Sequence, residues 1–223
     1  MAIMMARRVV QRRLLALALL VCACRCAVGA EVHWNVLGVG GEPELRLAAA
    51  DAARYLRLLR CGHGPASAAC VSLALFDAPA AVAASAAAAR AVADAGGAVI
   101  LVTTAARVAG VLGDVAVAGA VGAELAALTG DAHVVAPLGA VTLCAGATPR
   151  AALYAVYTLL EAMGARFYLH GDVLPAPRAA LELPSARLRG DPAFSLRGIQ
   201  PFHDFPMGPD WCVDGGDVTC VRV

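Results

Sequence analysis

Apolar and polar positions follow two regimes along this chain. Short continuous apolar runs, Val71–Phe76 and Ala98–Thr103, have the pattern of strands, the second of them covered on both faces. Val32–Val39 has the same strand character and ends in Gly40-Gly41. Between such runs the apolar residues spread out to helical spacing. Near residues 47–60, Tyr55, Leu56 and Leu59 share an inward face while Arg54, Arg57 and Arg60 recur on a polar one. An Ala-rich helix is expected near 79–94, closed by Gly96-Gly97, and another near 119–129, stopped at Gly130. Two short strands, Ala132–Ala136 and Val141–Cys144, turn at Pro137-Leu-Gly139.

The most fully specified element is a helix over 148–163. Thr148 can cap the open N–H groups, and Pro149 suits the first helical position because its missing N–H would have no partner there. Leu153, Val156, Leu160 and Met163 form an apolar stripe, and Gly164 supplies the left-handed residue that ends it. Ala165–Leu169 then returns as a strand. Pro175, Pro177, Pro184 and Pro192 punctuate the following stretch, which reads as a connector between domains. Strands alternating with helices define an α/β layer domain.

Charge changes the picture at the N-terminus. Arg7, Arg8, Arg12, Arg13 and Arg25 all precede Glu31, the first acidic residue. A basic segment, the apolar run Leu14–Ala23 and the small residues Val28-Gly29-Ala30 have the form of a cleavable secretory signal over 1–30. Arg25 cuts that run short of the roughly 20 apolar residues a membrane span needs. An organelle transit peptide is the rival reading, weakened by the absence of Ser and by hydrophobicity gathered in one block. Without the leader, 18 − 5 = 13 arginines face 17 acids, a net charge of −4. With no basic run left, nucleic acid is not an expected partner. The mean hydropathy of +0.70 comes largely from alanine, and no membrane association is expected after signal cleavage.

Motifs for several chemistries fail. Gly38-Val-Gly-Gly41 lacks the G-x-G-x-x-G spacing of a dinucleotide site and reads as a turn between strand and helix. There is no P-loop and no G-x-S-x-G elbow. No C-x-x-C pair exists and His63 has no second histidine at ligand spacing, so neither a metal nor a cofactor is expected. Cys61 and Cys70 are a candidate disulfide around Gly62-His63-Gly64-Pro65; two ordinary small apolar side chains are the equal alternative. Five cysteines remain after residue 30, an odd number.

Eight of the eleven aromatic residues lie between 154 and 211. An exposed row of them would suit sugar stacking, whereas the helical and strand spacing of Tyr154, Tyr157, Phe167 and Tyr168 favours packing. Arg197-Gly-Ile-Gln-Pro-Phe-His-Asp-Phe follows a short apolar strand, Phe194–Leu196. An Arg and an Asp beyond such a strand can bond sugar hydroxyls, although a solvated loop has the same pattern.

Two segments read together carry a family resemblance. Gly146-x-Thr-Pro-Arg-x-x-Leu-Tyr-x-Val-Tyr-x-Leu-Leu-Glu-x-x-Gly-x-Arg-Phe-Tyr168 resembles the last helix and strand of the N-terminal domain in family 20 β-hexosaminidases and family 67 α-glucuronidases. Phe194-Ser-Leu-Arg-Gly198 is similar to the Arg-Gly strand that opens their catalytic (β/α)8 barrel. The resemblance implies a glycoside hydrolase lineage and a layered mixed sheet with helices packed on it, followed by only the first strand of that barrel. It covers roughly residues 31–211 and, with the leader read over 1–30, divides the chain into a non-catalytic α/β domain over 31–190 and the start of a truncated barrel over 191–223, whose tail is aberrant. Arg197 and, in the loop beyond, Asp204 inherit candidate sugar-binding roles.

Such a barrel needs about 250 residues, and only 29 follow Phe194. The catalytic carboxylates lie on later strands, so none is carried onto this chain, which by itself is expected to be inactive. The tail from Cys212 departs from the family, whose members tend to place another Trp after Trp211; a truncated or misassembled gene product is the expectation. Carbohydrate would be a partner only for a full-length form, and the location would be outside the cell or in the secretory lumen. A secreted, non-enzymatic domain that binds carbohydrate or protein is the alternative, and a fragment without stable function a third.

Overall fold

A computed structural model describes residues 34–62, 71–77, 89, 97–113, 121–168, 171–178, 181–195 and 197. The chain is a mixed α/β fold built on a six-stranded sheet. Its elements are β1 (Trp34–Val39), α1 (Pro43–Cys61), β2 (Val71–Phe76), β3 (Ala98–Thr104), α2 (Ala105–Leu112) and α3 (Gly122–Ala126). There follow β4 (His133–Leu138), β5 (Val141–Gly146), α4 (Pro149–Ala162), β6 (Arg166–Tyr168), β7 (Gly171–Val173) and β8 (Leu188–Gly190).

The strand order is β2-β1-β3-β5-β4-β8. The first four of these run parallel, β4 is antiparallel to β5, and β8 is antiparallel to β4. Strand periodicity sorts the apolar side chains into two cores. Val36, Ile100, Val102, Val135 and Cys144 face α1 and α4. Leu37, Val99, Leu101, Val134 and Leu143 face the opposite way, toward α2 and α3. Because both faces are covered, β1, β3 and β5 are mostly apolar at successive positions rather than alternating, with Asn35 and Thr142 buried among the apolar residues. Each fully buried Leu, Ile or Val contributes about 1.5–3 kcal/mol of transfer free energy, so the two cores together hold the layers.

The helix over 148–163 forms as its sequence predicts. Thr148 accepts a hydrogen bond from the Ala151 N–H at 3.1 Å, Pro149 is the first helical residue, and Gly164 has φ +103°. Leu153, Val156 and Leu160 are buried, and Met163 packs at the margin of the core. On α1, Tyr55, Leu56 and Leu59 point inward as expected, but Arg60, expected on the polar face, is only 8% exposed. The helix expected over 119–129 is confined to Gly122–Ala126. The helix expected near 79–94 lies outside the described residues apart from Ala89, which is buried. Residues 1–33, which include the expected leader, also lie outside them.

The Pro-rich stretch folds back onto the domain. The β6–β7 hairpin sets Phe167 against Tyr55 and Tyr157, the Arg178 N–H donates to the Leu59 carbonyl at 2.9 Å, and Leu174, Leu181 and Leu183 pack on the core beside α1 and α4. β8 then completes the sheet edge. Among the described residues no helix is long and apolar enough to cross a membrane.

Candidate functional site

Three places bring chemistry-bearing side chains together. The first is the junction of the turn before β4, the start of α4 and Arg197, the last described residue. Asp131, in the turn before β4, has a side chain only 12% exposed and holds two guanidinium groups, Arg197 at 2.8 Å and Arg150 at 3.3 Å. The Arg197 guanidinium also lies over the Tyr154 ring, 5.3 Å from its centroid, a cation–π contact. Beneath Tyr154 is His133, the first residue of β4. Its Nδ1 donates to the Asp131 carbonyl at 3.1 Å, because a carbonyl can only accept; the neutral ring's Nε2 therefore accepts from the Thr158 hydroxyl at 2.9 Å. Burial, helped by the Arg197 cation, holds the His133 pKa below the ordinary histidine value.

The second place is the carboxyl end of the parallel strands. The chain turns to opposite sides of β1 to make β2 and β3, and open α/β sheets bind ligands at such switch points. Among the described residues an ion pair occupies this position. Arg107 of α2 grips Glu42, the residue before α1, with bonds of 2.5 and 3.1 Å. Gly40, at φ +138°, passes directly beneath this pair, and a β-carbon there would overlap Leu45, Glu42 and Arg107. The hydrogen bond from Arg107 lowers the Glu42 pKa. The Gly38–Gly41 segment is thus a turn between β1 and α1, closed over by an ion pair.

The third is an aromatic and carboxylate cluster on the helix layer. Phe167 meets Tyr55 and Tyr157 edge-on, with centroids 5.3 and 4.7 Å away. The Tyr157 hydroxyl donates to Asp51 at 2.9 Å, and the Tyr55 hydroxyl donates to Asp172. Burial is the main reason both phenols are held well above their usual pKa, with the neighbouring carboxylates adding to it. These groups serve packing, as the helical and strand spacing of Tyr157 and Phe167 predicts. Tyr168 and Phe194, by contrast, are exposed.

Of the residues singled out from sequence, Arg197 is joined to Asp131 and Tyr154, while Asp204 lies outside the described residues. Cys61 is half-buried at the end of α1; its candidate partner Cys70 is outside the described residues, as is most of the 194–205 segment beyond Ser195. Phe194 and Ser195 are not in a strand, and Leu196 is not described. Among the described residues no group of three or more His, Cys, Asp or Glu could hold a metal ion. Sequence reasoning did not single out Asp131, His133 or Arg150. Asp131 and Arg197 are 66 positions apart, so no local spacing links them. No protein-family model matches the chain, and no curated protein or solved structure matches it.

Proposed function

We propose that this chain is the N-terminal, non-catalytic α/β domain of a secreted glycoside hydrolase of the β-hexosaminidase or α-glucuronidase kind. Its work is to pack against a following catalytic barrel and to fix where that barrel begins. The observation that carries this reading is the fit between the resemblance and the local structure. Residues of the segment that carries the resemblance have specific jobs in β5, α4 and β6. Gly146 lets the end of β5 touch the first turn of α4, Thr148 caps that helix, Tyr157 reaches Asp51, and Phe167 closes the aromatic cluster. Arg197 then anchors the departing chain through Asp131.

A sugar contact by Arg197 is compatible with this anchoring. A guanidinium has five N–H donors, and Asp131 engages Nη2 of a side chain that is 30% exposed. In this reading Arg197 and Asp204 touch substrate only when the barrel is present, and hydrolysis belongs to carboxyl groups on that barrel. The burial of Tyr55 and the engagement of Tyr157 and Phe167 with partners favour the scaffold over a stacking platform for glycans.

Chromogenic glycosides of N-acetylhexosamine and glucuronic acid, offered to the purified chain, test the reading. No turnover is expected. Sequencing the mature message should reveal an in-frame continuation past Val223 with further β/α units and acidic residues. Sugar release by the purified chain, or a message that stops at Val223, would contradict the proposal.

A further inference from the structure

We propose that His133 is an acid-sensitive hinge beneath a latch that fastens β8 and the Arg197 segment to the domain. The inference concerns only described residues and does not depend on the glycoside hydrolase reading. β8 is three residues long, lies at the sheet edge and among the described residues pairs only with His133–Val135. Its last residue, Gly190, lies against the imidazole so closely that a β-carbon there would overlap the ring. The histidine is therefore the floor on which the end of β8 rests. Seven positions further on, Arg197 closes the latch through Asp131 and the face of Tyr154. Tyr154 in turn packs on His133.

The surroundings of the ring resist a second proton. From α4 it faces Tyr154 and Thr158, with Arg150 at the helix start; from the turn before β4 it faces Asp131. From β8 and the segment after it come Arg189, Asp191 and Arg197, with Arg189 paired to Asp191 at 3.1 Å. Burial opposes a charge on the ring and the Arg197 cation adds to that opposition, while Asp131 and Asp191 partly offset it. The new Nε2–H also points at the Thr158 hydroxyl, which must turn round to accept it.

The sign follows from the depressed pKa. Above about 6.5, the ordinary histidine value, the ring is neutral whether the latch is open or closed. As pH falls, the released and hydrated ring takes a proton before the buried one does. The closed latch loses stability over that interval, and the loss levels off below the folded pKa. The weak edge strand and its exposed neighbours are where this appears, because small edge elements open at lower cost than the core.

Hydrogen exchange on the purified chain, read by mass spectrometry at pH 7.5 and pH 5.0 and corrected for intrinsic exchange rates, is the test. Protection over residues 188–197 should fall on acidification, the direction that a folded pKa below the free-histidine value requires. Protection in β5 and α4 should hold. His133→Gln, neutral throughout, should abolish the pH dependence. A second readout covers the case in which that variant fails to fold. The His133 Cε1 proton resonance should titrate below the free-histidine value, and its midpoint should rise in Arg197→Gln, where a neighbouring cation is gone. Equal protection at both pH values, acid loosening that persists in His133→Gln, or a midpoint indifferent to Arg197→Gln would each overturn the proposal.

Discussion

The Tyr157 hydroxyl donates to the Asp51 carboxylate at 2.9 Å, tying α4 to α1 from the same helix layer where Tyr55 reaches Asp172. Both phenols have pKa values raised by burial. A raised folded value means stability that is complete below about pH 10, where unfolded tyrosine ionises, and is lost as pH rises beyond it. Tyr157→Phe should cost about 1.5–3 kcal/mol at neutral pH, the range for a hydrogen bond to a charged acceptor. It should also flatten the alkaline limb of the stability curve. Urea titrations followed by far-ultraviolet circular dichroism between pH 7 and pH 11 would check both effects.

Gly146→Ala should be among the most damaging single-methyl changes in the chain. A β-carbon at this position would overlap the Ala152 nitrogen and the Ala151 carbonyl carbon, backbone atoms of the first turn of α4 that cannot swing aside. Overpacking of this kind costs about 3 kcal/mol. Gly139→Ala supplies the contrast: it has a left-handed φ of +67° but open space around it, so its cost is conformational and should be about 1 kcal/mol. Thermal denaturation of the two variants should rank them in that order.

The Arg107–Glu42 pair should matter mainly in acid. Both side chains are about one-third exposed, at 34% and 35%, so solvent screens the attraction. Arg107→Ala should cost about 0.5 kcal/mol in low salt and less in high salt. The depressed Glu42 pKa makes this contribution full above the ordinary carboxylate range and lost as pH falls through the folded value. Comparing wild type and variant from pH 6 to pH 3 should show their stabilities converging at the acid end.

How far the sequence reaches into the structure depends on where each element's specification lies. α4 is legible because its cap, its proline, its stripe and its glycine are all local, and β2 and β3 because apolar runs of that length have few alternatives. α2 was not foreseen: its turn and a half of inward contact rests on Val108 and Val111 within a run of small apolar residues that has no clear period. β7 and β8 are three residues each and exist only because partners in β6 and β4 are brought to them. Arg60 lies at a polar-face position by spacing, yet the packing around the end of α1 buries it. The junction was half legible. Arg197 stands out through its motif, whereas Asp131, His133 and Tyr154 are assembled around it by the sheet and by α4.

A domain proposed to abut a catalytic neighbour should be found joined to it on one polypeptide. The decisive experiment captures the native polypeptide from cells and medium with an antibody raised against residues 31–190, then measures its intact mass and its glycosidase activity. The expected product exceeds this 22.6 kDa chain by a barrel of about 250 residues and releases sugar. A secreted polypeptide no heavier than this chain, without glycosidase activity, would contradict it.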